Sequence, residues 1–303
     1  MTKALLGPGD SLLLYGQFNA GKTSQVLALL KTLHAATGKK GLIYASDRGS
    51  IQALQEQGVD HGLAEMEVYR PGSDPHIFVD NAILGRRRVN GKWADTDLSH
   101  YCVAIFESLS GFGDAILSTI GHQVADGTNV GGDAMKAPSL AIQAEGYVVR
   151  IASNSPTHYG MAQKFLLEKV LQAQNLPMPT IWTAHEDVIV PAERDDKGNV
   201  RIKVVVDVGV NGVIGPHIAG HGLTMSLGKY FTYLLRIKEV VTNVGSKRVL
   251  YTSRHKDGLY EALAANRAPL GSSVPTMMEP ADVVKLLTLV NEAKMKAVGT
   301  RPA

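Results

Sequence analysis

The sequence predicts an α/β fold, with a mostly parallel central sheet flanked by helices and a late β-hairpin region. Three observations carry that expectation. Gly16-Gln17-Phe18-Asn19-Ala20-Gly21-Lys22-Thr23 matches G-x-x-x-x-G-K-(S/T) and sits between the apolar run 12–15 and a stretch of helix formers, 24–33, the strand–turn–helix setting that the motif requires. Apolar runs and helical patterns then alternate through the first half, as in βαβ units. In the second half the apolar runs flank turn-rich segments, as hairpins do.

Each element follows from local composition. The helix after the motif holds no Gly or Pro over 24–33, so nothing breaks it. Residues 39–47 read as a basic lead-in to a buried strand, 51–57 as a short helix, and 66–69 as a weak strand ended by Pro71-Gly72. Residues 72–99 are mixed and polar. They hold Arg86-Arg87-Arg88 and the turn pair Asn90-Gly91, and read as an insertion or long connection. The apolar run 101–106 ends in Glu107-Ser108, and the glycine-rich stretch 111–144 predicts a helix and a mobile loop. Residues 159–174 place Met161, Phe165, Leu166, Val170 and Leu171 near helical spacing, before Pro177 and Pro179. Residues 180–186 read as a strand with a polar end. Residues 188–191 and 201–208 flank a hairpin turn at 195–199, while 209–228, with six glycines, reads as loop. Residues 231–241 and 247–253 read as late strands and 281–298 as a C-terminal helix. The expected organisation is one domain over 1–270, with insertions near 72–99, 111–150 and 187–228, then a helical tail over 271–303.

Bulk composition narrows the class. The chain has 303 residues, 45% of them hydrophobic, and a net charge of +3. That is an ordinary globular composition with room for a large core. A charge this small neither demands nor excludes nucleic acid. The single cysteine, Cys102, lies in an apolar run; it reads as a buried core residue, consistent with a reducing cytoplasm. The N-terminus lacks a signal-peptide pattern, and no run of 18 or more apolar residues suggests a membrane span.

The chemistry centres on the glycine-bounded loop. Gly16 and Gly21 permit close approach and backbone angles that a Cβ would forbid. The amides of Gln17, Phe18, Asn19, Ala20 and Gly21, and those of Lys22, Thr23 and Ser24 in the first helical turn, face a phosphate group. Lys22 brings charge to the β/γ-phosphates of ATP, and Thr23 offers a hydroxyl to Mg²⁺. The metal also needs an acidic group at the end of a neighbouring strand, and Glu107 occupies that place. Hydrolysis needs a group that orients or deprotonates water. Asp47, after the second strand, is one candidate, and a helix cap is its alternative role; Glu107 is another, with Ser108 assisting at the metal. His185 ends the 180–184 strand as a candidate γ-phosphate sensor or a hydrogen-bonded strand end. Asp126, Asp133 and His122 lack metal-ligand spacing, and no C-x-x-C or H-E-x-x-H occurs, which argues against zinc.

The order of these parts resembles the RecA-like P-loop ATPase core: an early P-loop, an acid after the next strand, an apolar run ending in acid-Ser-Leu, and a strand ending in a polar residue. Glu107 stands where that group carries Asp. The late segments 231–237, 247–254 and 264–267 resemble those of phage-encoded members associated with single-strand annealing and recombination. The resemblance covers about residues 10–270. It implies an ATP-dependent ATPase that binds single-stranded DNA as a homo-oligomeric ring or filament, in the cytoplasm of an infected bacterium, with a phage single-strand-binding protein as a further partner and no membrane. It also implies that a basic residue of a neighbouring subunit reaches the γ-phosphate. Lys247, Arg248 and Arg254 are candidates by position, against the alternative that they guard an edge strand. Arg86-Arg87-Arg88 is the strongest local basic cluster, as a DNA contact or a solvated face. A DNA-packaging or helicase-type motor, and an ATP-switched loader or regulator, are the competing functions.

Overall fold

The computed structural model describes residues 5–70, 73–125, 139–144, 147–152, 156–189, 192–194, 200–202, 212–218, 224–243, 245–258, 260–269 and 271–299. Its centre is an 11-stranded sheet. The strands are β1 Ser11–Gly16, β2 Lys40–Ala45, β3 Ala64–Val68, β4 Tyr101–Glu107, β5 Thr180–Ile189, β6 Gly212–Pro216, β7 Tyr233–Thr242, β8 Gly245–Tyr251, β9 His255–Asp257, β10 Tyr260–Ala262 and β11 Met277–Met278. Six of them, in the order β3-β2-β4-β5-β1-β7, are parallel throughout. Strands β8 and β11 extend the β7 side antiparallel, and β6-β10-β9 join along the distal half of β5. The helices are α1 Lys22–Thr37, α2 Arg48–Leu54, α3 Pro75–Ile83, α4 Leu109–Ala125, α5 Pro156–Ala173 and α6 Val283–Gly299. The expected α/β architecture, a mostly parallel central sheet flanked by helices with the late hairpin β7–β8, is therefore what the chain adopts.

Successive residues of a strand face opposite sides of a sheet, so a strand covered on both sides is apolar throughout. In β1, Leu13 and Tyr15 join one core cluster with Phe78 of α3, Phe112 of α4 and Leu166 of α5. Leu12 and Leu14 join the other, with Val26 and Leu30 of α1 and Leu286, Leu287 and Val290 of α6. Cys102 is buried. Gly38, at φ 69°, ends α1 and donates its N–H to His34 O at 2.7 Å, as a left-handed C-terminal glycine does. Among the described residues no helix is long and apolar enough to cross a membrane.

Four segments differ from their sequence expectations, each for a packing reason. Residues 72–99, read as a polar connection, contain α3, which buries Phe78, Val79, Ala82 and Ile83; Asp74 caps it by accepting the N–H groups of His76 and Ile77. The same segment holds a hairpin, Arg87–Val89 with Lys92–Ala94, turned by Asn90 (φ 52°) and Gly91 (φ 79°), an Asn-Gly two-residue turn. Residues 209–228, read as loop from their glycines, contain strand β6. A Cβ on Gly212 would lie 2.4 Å from Ile189 O, and one on Gly215 would lie 2.5 Å from Thr224 Cγ2, so these glycines serve close packing. Within 271–299, β11 joins the sheet and Leu286, Leu287 and Val290 of α6 pack in the same core cluster as α1. In the glycine-rich stretch the helix is α4, and Ser139–Ala144 pairs with Tyr147–Ala152 as a hairpin; the expected mobile loop falls mainly on 126–138, outside the described residues. The hairpin expected around 195–199 pairs Ala192–Arg194 with Val200–Ile202, with 195–199 itself outside the described residues.

Candidate active site

All six parallel strands carry their C-terminal ends to one edge of the sheet, and there the predicted site residues gather. A cavity of about 460 Å³ is lined by Phe18, Asn19, Gly21, Lys22, Thr23 and Ser24 of the loop and α1. Asp47, Glu107 and His185, from the ends of β2, β4 and β5, line the same cavity.

The loop is built for close approach. A Cβ on Gly16 would lie 2.1 Å from Ile237 O on β7, and Gly21 holds φ 97° at the start of α1, an angle that favours glycine. Asn19 also takes a positive φ, 61°. Ala20 is fully buried, whereas Phe18 is 68% exposed at the tip, with its ring centroid 6.4 Å from that of His185. Lys22 turns its ammonium inward, donating to Gly16 O at 3.0 Å and Gln17 O at 2.9 Å. Burial lowers its proton affinity, opposed by the carboxylates of Glu107 and Asp47.

Glu107 is almost completely buried. Its Oε1 accepts the Thr23 hydroxyl at 3.2 Å, while its buried Oε2 has no hydrogen-bond partner among the described residues. Burial raises the proton affinity of this carboxyl, although the nearby Thr183 hydroxyl and Lys22 pull the other way. A buried carboxylate oxygen without a partner is costly unless a cation or donor completes it. The Thr23 hydroxyl with one carboxylate is a donor set suited to Mg²⁺, which keeps water and phosphate oxygens for its other positions.

Asp47 has the cap role anticipated for it, and its second oxygen meets His185 at the cavity. Its Oδ1 caps α2 by accepting the Gly49 N–H at 2.9 Å, and its Oδ2 lies 3.2 Å from His185 Nε2. The His185 hydrogen bond, more than the cap, holds the carboxyl below its ordinary range. The His185 backbone is fixed in turn: its N–H donates to Ser110 Oγ at 2.9 Å and its carbonyl accepts the His217 N–H at 2.7 Å. Ser108, offered as an assistant to Glu107, holds its backbone N–H 3.2 Å from Ser46 Oγ.

The three late basic residues separate. Lys247 pairs with Glu279 at 2.7 Å and Arg254 approaches Glu261 at 3.9 Å, both away from the cavity. Arg248 lines the cavity of its own chain, beside Gly21. Arg86, Arg87 and Arg88 are committed to the fold: Arg86 pairs with Asp95 at 2.7 Å, Arg87 with Glu65 and Glu67, and Arg88 lies over the Trp93 ring at 4.6 Å.

One structural group had no reading in the sequence. Arg236 of β7 is 1% exposed and clamps Glu186 of β5 bidentately at 2.8 and 3.0 Å. It also meets Asp257 at 2.7 Å and donates to His255 Nε2 at 2.9 Å. β1 lies between β5 and β7, so this clamp fixes the three strands that carry the loop and His185. An arginine inside the apolar run of 233–237 was the available signal, since such residues are buried only when paired.

No protein-family model matches the chain, and no curated protein matches it. Solved structures that align with it include a KaiC-like protein of the hyperthermophilic archaeon Pyrococcus horikoshii OT3, at 10% identity and a TM-score of 0.41, over 80% of this chain and 78% of that one.

Proposed function

We propose that the protein is a Mg²⁺-dependent P-loop ATPase. The observation that carries this reading is the pairing of Thr23 with a buried, half-satisfied Glu107 beside Lys22, at the mouth of a loop where a side chain on Gly16 is sterically forbidden. The loop amides and Lys22 hold the phosphates of the nucleotide, and Thr23 and Glu107 hold the metal ion. Mg²⁺ would neutralise charge on the β/γ oxygens. Asp47, whose proton affinity is lowered by His185, would accept a proton from an attacking water, and His185 would link that base to the β5 and His217 backbone. Lys22→Ala tests the assignment: ATP affinity and turnover both fall, and a variant that still hydrolyses ATP at the wild-type rate overturns it.

The further reading is a phage-type recombination or annealing ATPase, acting as an oligomer on single-stranded DNA. It rests on the resemblance of residues 10–270. The pairing of Arg86 with Asp95 and of Arg87 with Glu65 makes the Arg86–Arg88 cluster a weaker candidate for the DNA contact. Turnover measured with and without single-stranded DNA across salt concentrations tests it. Stimulation that falls with salt supports DNA coupling, and turnover indifferent to DNA at every salt concentration favours an ATP-switched loader or regulator.

A further inference from the structure

Arg248 was positioned by sequence as a residue acting on a neighbouring subunit, yet the fold delivers it to its own loop. A Cβ built on Gly21 would lie 3.0 Å from Arg248 Cδ and Nε and 3.2 Å from Cζ. The guanidinium therefore rests on the one residue whose missing side chain makes room for it. Among the described residues Arg248 forms no ion pair, in contrast to Lys247 and Arg254 on either side.

Its backbone is anchored to the helix that cradles the phosphates. Arg248 O accepts the Ala281 N–H at 2.9 Å, and Ala281 O accepts Gln25 Nε2 at 2.9 Å. Gln25 Oε1 in turn accepts the Val283 N–H at 2.9 Å. Gln25 stands in the first turn of α1, three residues after Lys22. Hydrogen bonds thus tie the hairpin, the 281–283 segment and the N-terminus of α1 together.

Charge balance gives this cation work to do. Asp47, Glu107 and Glu239 line the cavity together with the basic side chains of Lys22 and Arg248. A polyphosphate entering it meets acidic side chains, so each cation contributes strongly. A guanidinium also matches phosphate oxygens with two parallel N–H donors, which an ammonium cannot do.

We infer that Arg248 binds the phosphate chain of the nucleotide in cis, as a second cation beside Lys22 and on the Gly21 side of the loop. The inference rests on the ATPase reading above and assigns a residue within that site.

The test compares wild type, Arg248→Ala, Arg248→Lys and Lys22→Ala for binding of ATP and of inorganic tripolyphosphate, each with Mg²⁺. Arg248→Ala weakens both ligands by a similar factor, about 10- to 100-fold, the range for a hydrogen bond to a charged group. Arg248→Lys recovers part of that loss. Both variants melt like wild type, because the side chain is exposed. Loss of ATP affinity with tripolyphosphate unaffected would place the residue on the base or ribose and overturn the assignment. Turnover restored by mixing Arg248→Ala with Lys22→Ala protein would show action in trans and also overturn it. If wild type binds both ligands and Arg248→Ala matches it, only this assignment falls; if wild type binds neither, the ATPase reading falls with it.

Discussion

Asp47 offers the sharpest separation of structure from chemistry, because its two oxygens do different things. Oδ1 caps α2 through Gly49 N at 2.9 Å, and Oδ2 meets His185 at 3.2 Å. Asn is as good an N-cap as Asp, whereas Ala gives up roughly 0.5–2 kcal/mol of helix stability. The Asp47–His185 pair is 23% and 34% exposed, so screening limits its own contribution to about 0.2–1 kcal/mol. Asp47→Asn keeps the cap and removes the charge. Its melting temperature should stay within about 2 °C of wild type, while Asp47→Ala melts several degrees lower, on the scale of about 2–4 °C per kcal/mol for a domain of this size. A water-activating base is worth about 10²- to 10⁴-fold in rate. Asp47→Asn should therefore bind ATP like wild type and lose turnover by that factor in a steady-state assay. Turnover within about threefold of wild type would leave Asp47 as a cap alone and refute the assignment of the base.

Three further predictions follow from particular contacts. Glu107→Gln removes the carboxylate that faces Thr23, so the gain in nucleotide affinity on adding Mg²⁺ should shrink by about 10- to 100-fold in a titration with and without metal; an unchanged gain removes Glu107 from the metal site. His217, held between Asp114 and Asp187, is raised to about 9 from 6.5, with the Asp114 hydrogen bond the largest cause. Its protonated form is favoured by folding, so that contribution is complete below pH 6.5 and disappears as pH rises through about 9. Because the ring is 34% exposed, the contribution is discounted to about 1 kcal/mol. His217→Gln should lose that stability at pH 6 and match wild type near pH 10 in urea unfolding; a constant difference across pH contradicts this. Leu287 on α6 is fully buried, and Leu287→Ala should cost about 2–5 kcal/mol. A denaturation midpoint that does not move would show that α6 is dispensable.

The phosphate-binding loop was legible in the sequence because its chemistry is local. Eight consecutive residues supply the glycines, the amides, the ammonium and the hydroxyl, and the flanking strand and helix announce themselves in the same thirty positions. The alternation of apolar runs with helices fixed the α/β class for the same reason, since burial on both faces makes each parallel strand apolar throughout. Glycine content misled at β6, where Gly212 and Gly215 mark close packing. Polar content hid α3, whose buried Phe78, Val79, Ala82 and Ile83 share a short helix with exposed residues. The gathering of Thr23 with Glu107, and of Asp47 with His185, spans 84 and 138 residues. Only the strand order makes it possible, because parallel neighbours bring their C-terminal ends to one edge. The role of the basic residues was equally a matter of tertiary structure. Local charge could not distinguish Arg248, laid on Gly21 by the antiparallel register of β8 on β7, from Arg86, Arg87 and Arg88, whose carboxylate and ring partners arrive from other elements.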